Sequence, residues 1–276
     1  MHGLGNDFVV VADAFLNGQA ITPAIARAMG DRHFGIGFDQ LLWLRAPRGA
    51  DADLRMDIFN TDGSLAEMCG NGIRAVALYA QDRAASLGLP LRDRYVIETL
   101  GGLKTVEITG GGRSVVVDMG VPLLEGGFSG EAPGESLEVA GRSFRFYEVG
   151  MGNPHAVIFL PEGEDVTRFP FTELGPLIET LPRFPKRTNV EFVQVIDPRT
   201  IRVRVWERGA GPTLACGTGA CGAAVAAIRT KKVRDSQVSV ELPGGNLRIT
   251  WEGGGLPVRM EGPAVEVFSG QYSIGD

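Results

Sequence analysis

The chain is poor in the residues from which many functional sites are built. Its 276 residues hold three cysteines and three histidines. So few thiols in so long a chain exclude a disulfide framework, and no Cys/His spacing matches a zinc ligand set. Basic residues are outnumbered, 27 Lys and Arg against 33 Asp and Glu, for a net charge of −6. With no Lys/Arg cluster either, nucleic acid is excluded as a main partner. No apolar run reaches membrane-spanning length. The opening MHGLGNDF lacks the basic and apolar segments of a signal peptide, so cytoplasmic residence without a membrane partner is expected.

Glycine is abundant, with 39 residues, and much of it recurs in order. A shift of 147 (216 − 69) carries Cys69, Gly70 and Gly72 onto Cys216, Gly217 and Gly219. The same shift carries GLGN, ending at Asn6, onto GMGN, ending at Asn153. Further on, ETLGGLKTVEITGGG (98–112) aligns with ELPGGNLRITWEGGG (241–255) at a shift of 143. Three ordered matches at nearly one offset indicate two homologous halves rather than a solenoid. Each half reads as strand-like runs, a glycine-containing loop with the Cys, an Ala-rich helix and a closing hairpin. The expected fold is α/β of the α+β kind: two homologous domains, each a mostly antiparallel sheet or barrel around a central helix. Residues 1–117 plus 263–276 form one domain and 118–262 the other, with the Gly/Pro-rich stretch 119–136 as connector and the tail packing back on the first half.

A thiol at a helix start feels the positive end of the helix dipole and lies beside free N–H groups, which favour thiolate and can hold a carboxylate. Two such thiols, facing each other across a cleft between the halves, suit inversion of an acidic C–H carbon. One thiolate removes the proton from one face, and the opposing thiol returns a proton to the other. Cys221 lies within the second helix, where the first copy has Arg74, and is expected to be buried and inert.

The polar neighbours repeat in part. Asn6 matches Asn153, and Asn60 matches Glu207, each of the latter pair nine residues before its Cys (69 − 60 and 216 − 207). Arg208 suits a carboxylate fork, or a surface pair with Glu207, and position alone leaves both open. His155 suits a proton relay or a structural role, whereas His2 and His33 read as structural.

MHGLGNDF, DGSLAEMCGNGIR, GNPHAV and ERGAG…ACGTGAC resemble the diaminopimelate epimerases over essentially the whole chain. The resemblance implies two similar α/β domains with the active site in the cleft between them, and a last strand that returns to the first domain. It implies an isomerase that interconverts LL- and meso-2,6-diaminopimelate, in lysine and cell-wall precursor synthesis, without pyridoxal phosphate, another cofactor or a metal. By matching motif, Cys69 and Cys216 are the acid/base thiols, and His155 and Glu207 support catalysis beside them. Gly70 with Asn71, and Gly217 with Thr218, hold the reacting carboxylate. Asn6, Gln40, Asn60, Asn153, Asn189, Glu207 and Arg208 are the remaining substrate contacts. A small amino acid is the implied partner, and a homodimer the implied assembly. Two departures stand out: the lead-in strand is short, and Pro212 stands where the family pattern has Glu, which removes an N–H and a carboxylate. The rival readings are a proline- or hydroxyproline-type racemase of the same architecture, or a non-catalytic amino-acid-binding or thiol redox protein. The Asn-rich set and Arg208 speak against a small cyclic substrate, and the paired thiols with their glycines against loss of turnover.

Overall fold

A computed structural model describes residues 1–112, 114–124, 127–128 and 134–273. The chain divides into two compact units, Met1–Val117 with Gly262–Asp276, and Asp118–Glu261.

The first unit contains β1 (His2–Gly3), β2 (Asn6–Ala12), α1 (Pro23–Gly30), β3 (Gln40–Arg45), β4 (Leu54–Asn60), β5 (Leu65–Ala66), α2 (Gly70–Asp82), α3 (Ala84–Leu87), β6 (Arg94–Thr99), β7 (Gly102–Thr109) and β8 (Ser114–Asp118). β2 runs parallel to β3, and β4 parallel to β6. The other pairings, β1–β2, β3–β4, β4–β5, β6–β7 and β7–β8, are antiparallel. The second unit contains β9 (Leu123–Leu124), β10 (Glu135–Val139), β11 (Arg142–Gly150), β12 (Pro154–Phe159), α4 (Phe171–Glu179), β13 (Asn189–Asp197), β14 (Thr200–Glu207), β15 (Gly211–Pro212), α5 (Gly217–Arg229), β16 (Gln237–Leu242), β17 (Gly245–Thr250) and β18 (Arg259–Gly262). Its parallel pairs are β12–β13 and β14–β16, in the same places in the order. The two units therefore repeat one mostly antiparallel α+β topology, strand for strand from β2 and β12 onward.

Each parallel step needs a crossover, because a tight turn cannot join strands that point the same way. In each unit the first crossover carries a short helix, α1 or α4, and the second carries the long one, α2 or α5. α2 packs on β1, β2, β3 and β7, and α5 on β11 to β14 and β17. Every residue of α2 from Gly70 to Ala80 is buried, as are Gly219 to Ala227 of α5. Their Ala- and Gly-rich sequences provide this. Small side chains let strands approach the helix from several sides, and the bulk of each core comes from strand residues such as Leu41, Met56 and Ile97, or Phe146, Phe192 and Ile249.

The shorter crossover helices are absent from the sequence reading. α4 contains Gly175 and Pro176, both poor helix formers. Gly175 is there because Trp206 of β14 lies against it: a Cβ at that position would come within 2.5 Å of the indole. The first long helix also breaks at Arg83 into α2 and α3, where sequence suggests one run.

The tail returns to the first unit. His2 and Val265 exchange both backbone hydrogen bonds at 2.9 Å, and Arg83 pairs with Glu266 at 2.7 Å. Part of the expected connector, 125–126 and 129–133, lies outside the described residues, and its Leu123–Leu124 is a strand of the second unit paired with β11. Among the described residues, no helix is long and apolar enough to cross a membrane.

Candidate functional site

Cys69 and Cys216 are the N-caps of α2 and α5. Each has extended backbone, and each sulfur accepts the N–H of the third helical residue, from Gly72 at 3.2 Å and from Gly219 at 3.3 Å. Ser, Thr, Asp or Asn fills this position well, and sulfur is a weak acceptor. The residue that caps best has thus been passed over twice for one that can lose a proton. Glycine follows each Cys at the first helical position, and the first-turn amides of Gly70–Asn71 and Gly217–Thr218 sit at the positive end of a helix dipole.

Around Cys69 the partners are amides. Its S–H donates to Asn6 Oδ1 at 3.7 Å, and the same oxygen accepts from Asn71 Nδ2 at 3.3 Å. The other end of the Asn6 amide donates to Asp39 at 2.8 Å, and Asp39 is gripped by Arg32, which also forks onto Asp7. Gln40 and Asn60 face each other across β3 and β4, with Gln40 Nε2 donating to Asn60 Oδ1 at 3.0 Å and Asn60 Nδ2 donating to Ser64. Gln40 Oε1 is buried with no partner. One turn into α2, the fully buried Arg74 donates to Gly70 O, Asn71 Oδ1 and Pro263 O. It ties the helix start to the returning tail.

Around Cys216 the partners are acids. The thiol is buried, lies 3.6 Å from Thr218 Oγ1, and has Glu207 nearby, which accepts from Thr213. Burial, then the nearby Glu207 and Glu191, push the Cys216 thiol well above its ordinary range. Burial likewise raises Glu207 and Glu191 above the usual carboxyl range. His155 is fully buried on β12, its Nδ1 2.7 Å from Glu191 Oε1 and its Nε2 2.8 Å from Asn153 Oδ1. Asn189 is buried with both amide ends engaged: Oδ1 accepts the Arg208 N–H at 2.9 Å, and Nδ2 donates to Pro154 O at 2.9 Å. The Arg208 guanidinium donates to Lys186 O at 3.3 Å, so neither it nor Glu207 spends its bonds on the other.

The structure thus gathers Asn6, Gln40, Asn60, Cys69, Gly70 and Asn71 in the first unit, and Asn153, His155, Asn189, Glu207, Arg208, Cys216, Gly217 and Thr218 in the second. Three supporting residues escaped the sequence reading. Glu191 sits two residues beyond Asn189, on the same face of β13. Asp39 precedes Gln40. Glu179, at the end of α4, accepts from Trp206 Nε1 at 2.7 Å and from the Gly209 N–H at 3.0 Å, which pins the loop carrying Arg208. The period-2 alternation of β13 could have exposed Glu191, but Glu179 has no sequence signal, because its helix was not visible. Pro212 is exposed on the short edge strand β15, where a missing N–H is tolerated, and the loop forms around it. Among the described residues, no cluster of His, Cys, Asp and Glu is arranged to hold a metal ion.

Comparison with known proteins identifies the family. A family model described as diaminopimelate epimerase matches residues 1–124 and 147–267. The diaminopimelate epimerase of Stutzerimonas stutzeri (strain A1501) is 51% identical over 279 residues, covering 99% of this chain and 98% of that protein. That of Pseudomonas syringae pv. tomato is 48% identical with the same coverage. Among solved structures, a hydroxyproline epimerase from Agrobacterium vitis with bound trans-4-hydroxy-L-proline superposes with a TM-score of 0.67 at 14% identity, over 95% of this chain and 87% of its own. At that identity the likeness concerns the fold alone.

Proposed function

Since the chain belongs to the diaminopimelate epimerase family, we propose that it interconverts LL- and meso-2,6-diaminopimelate by taking the α-proton from one face and returning a proton to the other. The observation that carries this reading is the pair of thiols that cap α2 and α5 in the same way. Inversion requires one acid/base group on each face of the reacting carbon, and two equivalent helix starts supply matched groups with matched anion sites.

The chemistry follows from the surroundings of each thiol. Cys216 is held as S–H by burial and by Glu207 and Glu191, so it is the proton donor in this state. Cys69 is the base: once the S–H proton it shares with Asn6 Oδ1 has passed to solvent, its thiolate takes the α-proton. The C–H electron pair moves onto the α-carbon and its carboxylate, where the first-turn amides of α2 and α5 stabilise the growing charge. The Cys216 S–H then protonates that carbon from the other side. The thiol and thiolate have now exchanged roles, and the reverse reaction begins from that state. Gln40 Oε1, buried without a partner, accepts from a substrate ammonium, which relieves an orphan costing roughly 1–3 kcal/mol. Arg208 forks onto the distal carboxylate, and this polar end sets specificity, since analogues that lack it leave the site's polar groups unpaired. A homodimer in the cytoplasm, acting on a free amino acid, completes the reading and rests on family resemblance.

The direct test is solvent deuterium incorporation into LL-diaminopimelate in D2O, followed by NMR with the thiols reduced. Loss of the α-C–H signal together with appearance of the meso isomer supports the reading. Absence of exchange, with both thiols titrating as free, would overturn it.

A further inference from the structure

The parallel strand pairs at the two helix starts have the same register but opposite chemistry. Phe8 pairs with Gln40 in β2–β3, and His155 pairs with Asn189 in β12–β13. Two residues further along β3 and β13 come Leu42 and Glu191. Leu42 Cδ2 lies 3.1 Å from where a Gly72 Cβ would be, and Glu191 Oε1 lies 2.8 Å from where a Gly219 Cβ would be. The first unit therefore sets two apolar side chains, Phe8 and Leu42, beneath its helix start. The second sets an imidazole and a carboxyl in the same places, both fully buried. Burying a carboxyl where the fold accepts leucine is costly unless the group has a task.

We propose that Glu191 is a positioning residue for the Cys216 site: through His155 it determines which end of the Asn153 amide is presented to substrate. This rests on the epimerase reading for the identity of the substrate. The argument follows the protons. His155 Nε2 faces an oxygen, Asn153 Oδ1, so Nε2 carries a proton and donates. Nδ1 is tied to Glu191 Oε1 at 2.7 Å, so Glu191 holds the ring with its other nitrogen turned to Asn153. The chain of bonds thus runs from Glu191 through the ring, and from Nε2–H to Asn153 Oδ1. With its oxygen so engaged, Asn153 offers its NH2 end to an anionic substrate oxygen. In the first unit the matching Asn6 is held the other way round, because Asp39 takes its NH2 end and leaves the oxygen toward Cys69. Two asparagines from one ancestral position thus serve as a donor in one unit and an acceptor in the other, and Glu191 and Asp39 set the difference.

The test uses the full chain with 15N-labelled histidine, the His155 signals being assigned by their loss in His155→Asn. Wild type should show a ring proton on Nε2. Glu191→Gln, whose amide NH2 can still donate to Nδ1, should keep that pattern and keep KM for LL-diaminopimelate within about threefold. Glu191→Leu, which installs the first unit's residue, should scramble the ring between tautomers and raise KM roughly 10- to 100-fold, the effect of losing one placed hydrogen bond to a charged group. A merely structural glutamate would lower the melting temperature of Glu191→Leu and leave both the ring pattern and KM unchanged, and that result overturns the proposal. If Glu191→Leu does not fold, the wild-type ring decides: a proton on Nδ1 alone overturns the proposal, as does loss of the Nε2 proton in Glu191→Gln. Failure of the epimerase reading looks different, with no turnover in wild type and the ring pattern intact.

Discussion

The surroundings of Cys69 and Cys216 differ far more than the two backbones do. Both thiols cap an Ala-rich helix, follow the same kind of strand and loop, and accept the N–H of the third helical residue. Beneath Cys69, however, lie Phe8, Leu42 and a buried guanidinium, Arg74, with Asn60 at the strand end. Beneath Cys216 the matching places hold His155, Glu191 and Cys221, with Glu207 at the strand end. One copy gathers a cation and neutral amides, the other two carboxyls. Duplication supplied two equivalent helix-start thiols, and divergence of buried side chains made their surroundings electrostatically unequal. In the proposed reaction, where the pair holds one S–H and one S⁻, that inequality helps, because neither thiol then competes for the same state.

The largest effect should come from breaking the pair. Cys69→Ser or Cys216→Ser, each alone, is expected to lower kcat for epimerisation at least about 1,000-fold, since a hydroxyl is a far weaker acid and base and general acid–base catalysis contributes up to ~10⁴-fold. Substantial turnover in either variant, measured by conversion of LL to meso substrate, would break the claim that both thiols are needed. Next comes the cation that distinguishes the first site. Arg74→Met strips partners from Gly70 O, Asn71 Oδ1 and Pro263 O. It should cost roughly 2–4 kcal/mol, read as a lower denaturant midpoint at unchanged m.

The inequality itself can be sharpened by pH. Cys216 has its thiol raised by burial and then by Glu207 and Glu191. In the folded chain it therefore keeps its proton above the pH at which an unfolded cysteine loses it. Folded protein holds the extra proton, so this group's contribution to stability is present below the unfolded thiol range and declines as pH rises through and beyond it. Alkylation of Cys216, followed by peptide mass spectrometry against pH, should rise only on the alkaline side of a free thiol. Glu207→Gln removes one negative neighbour and should move that rise to lower pH. An unmoved rise would mean that Glu207 does not act on this thiol. The smallest effect is expected at the exposed cluster behind Asn6. Arg32 pairs with Asp7 and Asp39 in the open, and solvent screening should hold Arg32→Ala to about 1 kcal/mol or less in a chemical melt.

Much of this molecule was legible in one dimension. The strands that flank each thiol, the two central helices, the match of Asn6 with Asn153 and the burial of Cys221 all follow from local pattern, because alternation and helix-start chemistry act over a few residues. Helix α4 was not legible, since Gly175 and Pro176 argue against a helix and only the Trp206 indole lying across it explains the glycine. Arg74 and Glu191 were equally opaque. A charged residue in a sequence reads as surface, and only packing against strands from elsewhere in the chain puts these two inside.

The sequence alone therefore determined that there are two copies, that each ends a strand-rich run with a thiol at a helix start, and that paired thiols suit inversion at carbon. These depend on spacing and on backbone dipoles, which any chain carries locally. Only the tertiary structure decided that the copies differ in charge, that the Asn6 and Asn153 amides are held opposite ways round, and that Glu179 fixes the loop bearing Arg208. The physical reason is that burial and hydrogen-bond direction come from groups brought together by folding, and these raise the Cys216 thiol above its ordinary range.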